Sequence, residues 1–172
     1  ADNSHDTFAR CAYFAYIGNT LIVAISTTAL MLLVTIFSAF AFARLEFKGK
    51  EFLFTIFLAT MMIPGEMMVI TNYNTMSNLG MISVDQTRMQ AYFVMVAPFI
   101  ASVFYIYLLR QNFKQIPNEL YLASKVDGKS DWEYLWKVMV PLAAPTLITI
   151  TILSIIGSWN AYVWPQIATS AS

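Results

Sequence analysis

Charged residues are scarce in this sequence and are absent from three long stretches. They make up 12% of the chain, against about 25% in soluble domains, while 58% of the residues are hydrophobic. No charged residue occurs from Cys11 to Ala43, from Met89 to Leu109, or from Val138 to the end. A soluble core cannot hide that much apolar surface, so the composition excludes a soluble globular protein and predicts membrane spans.

Cysteine and histidine are almost missing as well. The single cysteine, Cys11, excludes an internal disulfide and a four-cysteine metal site, and the single histidine, His5, excludes a two-histidine site. A net charge of zero argues against a nucleic-acid partner, and neither HExxH nor GxSxG occurs. The triplet at 128–130 is not a phosphate loop, because Ala123 stands where a P-loop requires glycine. We therefore expect a chain that is not an enzyme and binds no metal or cofactor.

Apolar stretches long enough to cross a bilayer occur four times. A helix needs about 20 residues to cross the roughly 30 Å hydrocarbon core. The predicted spans cover about 17–43, 52–70, 89–109 and 139–158. The predicted fold class is all-α, a polytopic membrane helix bundle in which residues 1–172 form a single transmembrane domain.

Small residues in the first predicted span indicate a helix contact. Ser26, Thr27, Thr28 and Ala29 follow one another there. Small side chains let neighbouring helices approach closely within a membrane, so we expect another helix to pack at this point.

The second predicted span is interrupted near its far end by Pro64, Gly65 and Glu66. In one interpretation the helix end frays and the Glu66 carboxylate is hydrated. In the other, a broken helix lines a translocation pathway, because non-helical backbone at membrane depth needs protein or water around it. These residues are therefore candidates for the pathway.

Basic residues are distributed unequally between the loops. With four spans, alternate loops lie on alternate sides of the membrane. Eight of the ten basic residues fall on one side: Arg44, Lys48, Lys50, Arg110, Lys114, Lys125, Lys129 and Lys137. Arg10 and Arg88 fall on the other side, so the positive-inside rule predicts that the loop over 110–138 is cytoplasmic.

The polar stretch over 110–145 separates strongly apolar segments and predicts two short helices. Pro117 suits a first helical position, Glu119 favours the first turn, and Gly128 suits a left-handed stop just past the end. The first short helix is therefore predicted to lie between Pro117 and Gly128.

The second short helix is predicted to begin at once. Ser130 and Glu133 form a predicted capping box, in which the serine oxygen accepts from a backbone N–H and the glutamate carboxylate reaches back to the cap. This helix runs into Pro141, whose ring would begin or kink the next membrane segment.

The spacing of residues in this loop resembles the EAA loop of ABC importer permeases, whose pattern is EAA, three residues, G, nine residues, I, any residue, LP. The matching residues are Ala123, Ser124, Gly128, Val138, Val140 and Pro141. The family's Glu falls on Leu122, which departs from the pattern.

The resemblance implies a cytoplasmic helix-turn-helix that docks in a cleft of an ATPase subunit and transmits ATP-driven movement. The residues it assigns to this coupling loop are Pro117, Glu119, Leu122, Ala123, Ser124, Asp127, Gly128 and Pro141. The alternative is an ordinary interfacial amphipathic loop.

The segment over 157–165, GSWNAYVWP, is similar to the WN...WP segment of carbohydrate-type ABC permeases, the branch that includes maltose and glycerol-phosphate importers. An aromatic belt at the membrane interface is the alternative interpretation. Similar stretches occur at 19–21, 43–50, 62–64 and 108–111. The resemblance, which covers 17–165, implies the MetI-like permease fold and adds Asn160 to the candidate pathway residues. Such permeases have six spans, so the chain, which opens at Ala1, is expected to be a fragment without the first and last.

The expected function is that of the permease subunit of an ATP-driven importer, which moves a sugar or sugar-like solute across the bacterial cytoplasmic (inner) membrane by alternating access. The partners implied are a second, homologous permease subunit, two ATP-binding cassette subunits that hydrolyse ATP, an extracytoplasmic solute-binding protein and the lipid bilayer. Two alternatives stay open. One is a permease of another ABC importer branch. The other is a membrane assembly protein that does not transport, in which Pro64, Glu66 and Pro98 are packing residues only.

Overall fold

The computed structural model describes residues 3–82, 86–161 and 163–169, with the backbone alone for 3–12, 66 and 169. Every regular element within these ranges is helical. The helices in chain order are α1 (Asn3–Arg44), α2 (Lys50–Thr60), α3 (Gly65–Asn78), α4 (Arg88–Val96), α5 (Val103–Gln115), α6 (Asn118–Val126), α7 (Asp131–Tyr134), α8 (Val140–Leu142), α9 (Ala144–Trp159) and α10 (Val163–Thr169). A 3-10 turn (Ala97–Phe99) follows α4, and a π-helical stretch (Leu135–Met139) joins α7 to α8.

Helix α1 is the central element of the bundle. Its segment Tyr13–Arg44 is 32 residues long and is long and apolar enough to cross a membrane unaided. From Asn19 to Arg44 the sequence contains neither glycine nor proline, so nothing interrupts the backbone hydrogen-bond ladder. Helices α5 and α9 pack along it.

Two further candidate spans are bent. Arg88–Phe99 and Val103–Gln115 meet at 53°, and Asp131–Leu142 and Ala144–Trp159 meet at 76°. Pro98 lies in the first break, where its ring cannot donate the backbone hydrogen bond that would continue α4. By length and composition, the described residues contain one helix able to cross a membrane, and up to three if each bent pair is one span.

The predicted span over 52–70 is divided between α2 and α3. Helix α2 ends at Thr60 with Met61 as its C-cap, and three successive i to i+3 hydrogen bonds, at 3.0, 3.1 and 3.2 Å, carry the chain through Ile63. Pro64 then caps α3, whose first residue is Gly65. The interruption expected from the proline is present, and the Glu66 side chain lies outside the described part of the structure. The assignment of four spans stays a prediction.

Buried side chains form a main core and a small core. The main core lies where α1, α5 and α9 meet the α6–α8 region, and includes Met31, Phe113, Tyr134, Met139 and Ile150. The small core consists of Ile82, Val94, Trp164 and Ala168 and joins α10 to α4. The helices that follow Gly128 are thus anchored in the main core, while the chain beyond α9 belongs to the small one.

Candidate functional site

The polar loop folds as a helix-turn-helix, with α6 and α7 joined by a glycine turn. Gly128 has φ +72°, and its N–H donates to the Lys125 carbonyl at 3.0 Å. The Lys129 N–H donates to the Ser124 carbonyl, also at 3.0 Å. These two bonds define a Schellman motif, which requires a left-handed residue at this position. The left-handed stop predicted at Gly128 is present.

The start of α6 differs from the prediction by one residue. Pro117 is the N-cap, with φ −56° and ψ 135°, and the helix begins at Asn118. A proline disfavours the α region for the residue before it, and Ile116 is accordingly extended at φ −68° and ψ 127°. The extended ψ of Pro117 delays the first helical residue to Asn118. Glu119 occupies the first turn, as predicted, and is exposed.

The capping box predicted for α7 is half formed. The Ser130 hydroxyl oxygen accepts from the Glu133 N–H at 3.2 Å. The Glu133 carboxylate does not complete the box but accepts from the Lys137 ammonium, one turn ahead. A lysine four residues after a glutamate competes for the carboxylate on an exposed helix face, and the sequence pattern alone did not weigh that pair.

Asp131 holds the two short helices together. Its Oδ1 accepts from the Tyr121 hydroxyl at 2.8 Å and from Lys125 Nζ at 2.8 Å. The Tyr121 ring also packs edge-on against Tyr134, with 5.1 Å between the centroids. The hydrogen bond from Lys125 to Asp131 raises the pKa of the lysine ammonium above its usual range, so the pair stays charged at neutral pH.

Arg44, at the end of α1, ties this loop to the bundle. Its guanidinium donates to the backbone carbonyls of Phe113 at 3.1 Å and Ile116 at 2.6 Å. It also donates to Asn118 Oδ1 at 3.2 Å. Phe113 lies in the last turn of α5 and Ile116 is its C-cap, so the arginine fixes the exit of α5 and the entry of α6.

Arg110 makes a second tie one turn earlier on α5. This residue is 3% exposed; it donates to the Phe42 carbonyl at 3.1 Å and to Glu51 Oε1 at 2.9 Å. Its guanidinium lies 3.8 Å from the centre of the Phe54 ring. Sequence reasoning used both arginines to mark the cytoplasmic side and included them in stretches similar to the permease family, but predicted no bonding partner for either. Their partners lie 59 to 74 residues away, and no local signal identifies them.

The outward face of α6 carries an exposed apolar stripe. Glu119, Leu122, Ala123 and Val126 are spaced three and four residues apart and therefore share one face. Leu122 is 56% exposed and Val126 is 89% exposed. On the opposite face Ser124 is buried, and its hydroxyl donates to the Tyr121 carbonyl at 2.7 Å. The loop thus fastens one face to the bundle and presents the other, which we call the α6 stripe.

The remaining coupling-loop and pathway candidates lie at helix ends. Asp127 caps α6 and Pro141 lies in α8, and both are exposed. Asn160 caps the C-terminus of α9 and is exposed. Pro64 and Gly65 lie at the break between α2 and α3. The structure does not bring these pathway candidates together with the coupling-loop residues.

Two cavities, of about 400 and 420 Å³, open between α1, α4, α9 and α10. Ser158 and Ala161, on either side of Asn160, line both. Asn160 itself, Pro64 and Gly65 do not contribute to the lining of either cavity. Sequence reasoning had marked Thr27 and Thr28 only as contact residues. In the structure Thr28 bonds to Ser154 of α9 at 2.9 Å, while Thr27 lines a cavity.

The apolar helices and the anchored helix-turn-helix define an integral membrane protein. Residues 31–172 match the family described as binding-protein-dependent transport system inner membrane component, and the chain belongs to this family. Membership confirms the resemblance to ABC importer permeases found in the sequence.

Similar proteins transport carbohydrates and related solutes. The chain is 29% identical over 155 residues to the arabinooligosaccharides transport system permease protein AraQ of Halalkalibacterium halodurans, covering 90% of this chain and 53% of that protein. It is 29% identical over 171 residues to the lactose transport system permease protein LacG of Rhizobium radiobacter, covering 99% and 60%. It is 28% identical over 152 residues to the sn-glycerol-3-phosphate transport system permease protein UgpE of Yersinia pestis, covering 88% and 52%. The chain thus spans about half the length of these relatives.

The fold has a counterpart among solved structures. A chain in the crystal structure of a bacterial ABC transporter involved in the import of the acidic polysaccharide alginate superimposes with a TM-score of 0.75 and 28% identity. The match covers 90% of this chain and 55% of that one. The predicted fold class, an all-α membrane bundle of the permease type, is confirmed.

Proposed function

We propose that this chain is part of the permease subunit of an ATP-driven importer in the bacterial cytoplasmic membrane, and that its solute is a sugar or sugar-like molecule. Family membership and the names of the similar transport proteins support this proposal. The observation that carries it is the α6 stripe, an exposed apolar surface on a loop whose other face is fastened to the bundle.

The stripe fits a coupling role because it is both exposed and anchored. A displacement of α6 by a partner at Leu122 or Val126 would be transmitted to α7 through the hydrogen bond to Asp131. It would also reach α1 and α5 through the hydrogen bonds of Arg44. Partners that suit this arrangement are two ATP-binding cassette subunits, a second permease subunit and an extracytoplasmic solute-binding protein. ATP hydrolysis belongs to the cassette subunits, and this chain moves with them. ATP drives transport only if the contacts at the loop differ between the two states.

A co-purification experiment on the full-length permease tests the docking surface. Val126→Asp places a charge at the most exposed position of the α6 stripe, whereas Leu120→Asp places one on the flank of the same helix, where the leucine is 43% exposed. We expect Val126→Asp to lose the ATPase subunits and Leu120→Asp to retain them. Retention by both variants would show that the stripe is not the docking surface. Absence of any ATPase with the unaltered protein would contradict the importer itself.

A further inference from the structure

The two cavities form one continuous groove along α1. They share Val23, Met95, Ser158, Ala161 and Pro165. One reaches Tyr16 of α1 and the other reaches Met31, so the groove extends over about 22 Å of helix at 1.5 Å per residue. The Tyr16 end is the outer end, because Arg44 ends α1 on the predicted cytoplasmic side. We call the cavity at Tyr16 the outer cavity and the one at Met31 the inner cavity.

Charge distinguishes the two cavities. Arg88 lines the outer cavity. Among the described residues that line the inner cavity, none is charged. An anion in the inner cavity would therefore lose its hydration without meeting a cationic side chain, which is strongly unfavourable.

Hydroxyl groups without protein partners face the inner cavity. Thr27 is 5% exposed, lines this cavity, and makes no side-chain hydrogen bond to any described residue. Ser102 and Ser158 also line it, and Ser102 caps α5 without a side-chain hydrogen bond. The nearby Ser154 hydroxyl, in contrast, is already engaged by Thr28 at 2.9 Å. A buried hydroxyl such as that of Thr27 needs a polar partner, and the cavity is where one can enter.

A helix N-terminus and a helix C-terminus both lie at the inner cavity. The N-terminus of α5 begins beside Ser102, and its first N–H groups have no partner within the helix, while α9 ends beside Ser158, whose carbonyl accepts from the Asn160 and Ala161 N–H groups. The partial charges of a helix N-terminus and a helix C-terminus are opposite, so together they do not favour an anion. Solute hydroxyls both donate and accept, and they match such a mixed set.

Aromatic side chains also line the inner cavity. Trp164 is 4% exposed and its indole N–H donates to the Val94 carbonyl at 3.2 Å, which fixes the ring. Phe99 packs against it with 6.0 Å between centroids. Sites for small polar molecules combine such apolar walls with a few placed polar groups.

From this geometry we infer that the inner cavity is a solute site for an uncharged, polyhydroxylated molecule, with Thr27, Ser102 and Ser158 as its hydroxyl partners. This inference rests on the proposed importer function and narrows its substrate class to neutral saccharides rather than sugar phosphates or uronic acids. Arg88 in the outer cavity is compatible with approach by either class, so selection by charge falls to the inner cavity.

Thiol labelling of the full-length permease, assembled with its partner subunits in nanodiscs, tests this assignment. In a Cys11→Ser background, Thr27→Cys, Ser158→Cys and Thr35→Cys are each treated with two reagents of similar size. One is the neutral 2-hydroxyethyl methanethiosulfonate and the other is the anionic 2-sulfonatoethyl methanethiosulfonate. Thr35 is the matched control, because it is a buried threonine on the same helix that lines neither cavity and bonds to Met31 Sδ at 3.4 Å.

We expect the neutral reagent to label Thr27→Cys about tenfold or more faster than the anionic one, because the anion must be desolvated without a partner. Ser158→Cys, which lines both cavities, keeps the test open if Thr27→Cys does not fold. Labelling of neither position above the rate at Thr35→Cys overturns the site. Equal or faster labelling by the anionic reagent overturns the neutral substrate class.

Addition of ATP and vanadate separates this inference from the proposed function. An importer that alternates access must change the labelling rate at Thr27→Cys between the two states. Charge selectivity without any response to ATP would leave the cavity assignment standing and contradict the importer mechanism. A change of labelling rate on addition of ATP without charge selectivity would support the importer mechanism and contradict the neutral substrate class.

Discussion

The loop end and the small-core end of this bundle are held together by different interactions. At the loop end Arg44, Arg110 and Asp131 bond to groups on other helices, and the four ion pairs found among the described residues all lie there. At the other end the small core packs apolar side chains around Trp164, which adds one hydrogen bond to Val94. Hydrogen bonds fix direction and distance, whereas apolar packing is non-directional. The difference indicates that the loop end keeps a fixed geometry while α10 and α4 are freer to shift.

The largest expected effect concerns the sides on which the two ends lie. In a Cys11→Ser background, Lys125→Cys at the loop end and Asn78→Cys at the end of α3 are labelled with an impermeant maleimide. The eight-to-two distribution of basic residues predicts that intact cells expose position 78 alone and inside-out vesicles expose position 125 alone. Labelling of both from outside would contradict the topology.

Leu122→Glu sharpens the comparison at the α6 stripe, where related loops carry Glu. If the facing ATPase surface is apolar, the substitution buries an unpaired carboxylate and weakens docking by about 2 kcal/mol or more. We expect weaker association with the ATPase subunits, measured by retention in detergent at increasing stringency. Stronger association would instead indicate a cation in the cleft. No change would remove Leu122 from the docking surface.

Arg110→Met removes one of the polar ties of the loop end. The variant loses the bonds to the Phe42 carbonyl and to Glu51, and we expect the free energy of unfolding to fall by about 1–3 kcal/mol. The lower part of that range is favoured because the Glu51 side chain is 71% exposed.

Lys114→Met is the matched control for this tie. Lys114 also approaches Glu51, at 3.9 Å, but its side chain is 42% exposed, so the expected change is within about 0.5 kcal/mol. Thermal unfolding in nanodiscs compares the two variants. Equal shifts would show that burial of Arg110 adds nothing.

Comparing Gly128→Val with Gly49→Val separates the effect of backbone strain in the α6–α7 turn from the effect of equal strain before α2. A residue with a Cβ in the left-handed region loses about 1–2 kcal/mol of stability. Gly128 at φ +72° and Gly49 at φ +83° both lie in this region, so a valine at either position has the same cost. In neither case does an added Cβ meet another atom within 4 Å. We expect similar losses of stability from Gly128→Val and Gly49→Val. Only the former should lower ATP-driven uptake, by about tenfold, the change equivalent to 1.4 kcal/mol. Equal reductions of uptake by Gly128→Val and Gly49→Val would contradict a coupling role for the turn at Gly128.

Trp164→Phe probes the small core and has the smallest expected effect apart from the control substitutions. The Val94 carbonyl loses its donor, and Pro98, which follows at the helical spacing, has no N–H to replace it. We expect a loss of about 1 kcal/mol in the free energy of unfolding. Trp159→Phe, at a tryptophan that is 51% exposed, serves as the control and should leave stability unchanged. A loss no larger than that of Trp159→Phe would mean that the hydrogen bond to Val94 adds nothing to the stability of the small core.

Local chemistry accounts for the parts of the structure that sequence reasoning predicted correctly. A proline removes a backbone donor wherever it stands, so the predicted break at Pro64 follows from residue type. Glycine alone adopts a left-handed conformation at little cost, which identifies Gly128 as the end of α6. Long uncharged stretches predict apolar helices. The family pattern predicts a coupling role for the loop, because its matching residues are separated by fixed distances along the chain, and that role stays a prediction.

Only the tertiary structure decided which side chains meet. The exact start of α6 after Pro117 and the partner of Glu133 depend on competing local bonds. The ties of Arg44 and Arg110 join groups 59 to 74 residues apart. A helix that is apolar on all sides carries no periodicity to show which face turns inward. For that reason the groove beside Thr27 is not determined by sequence alone and depends on how α1, α5 and α9 pack.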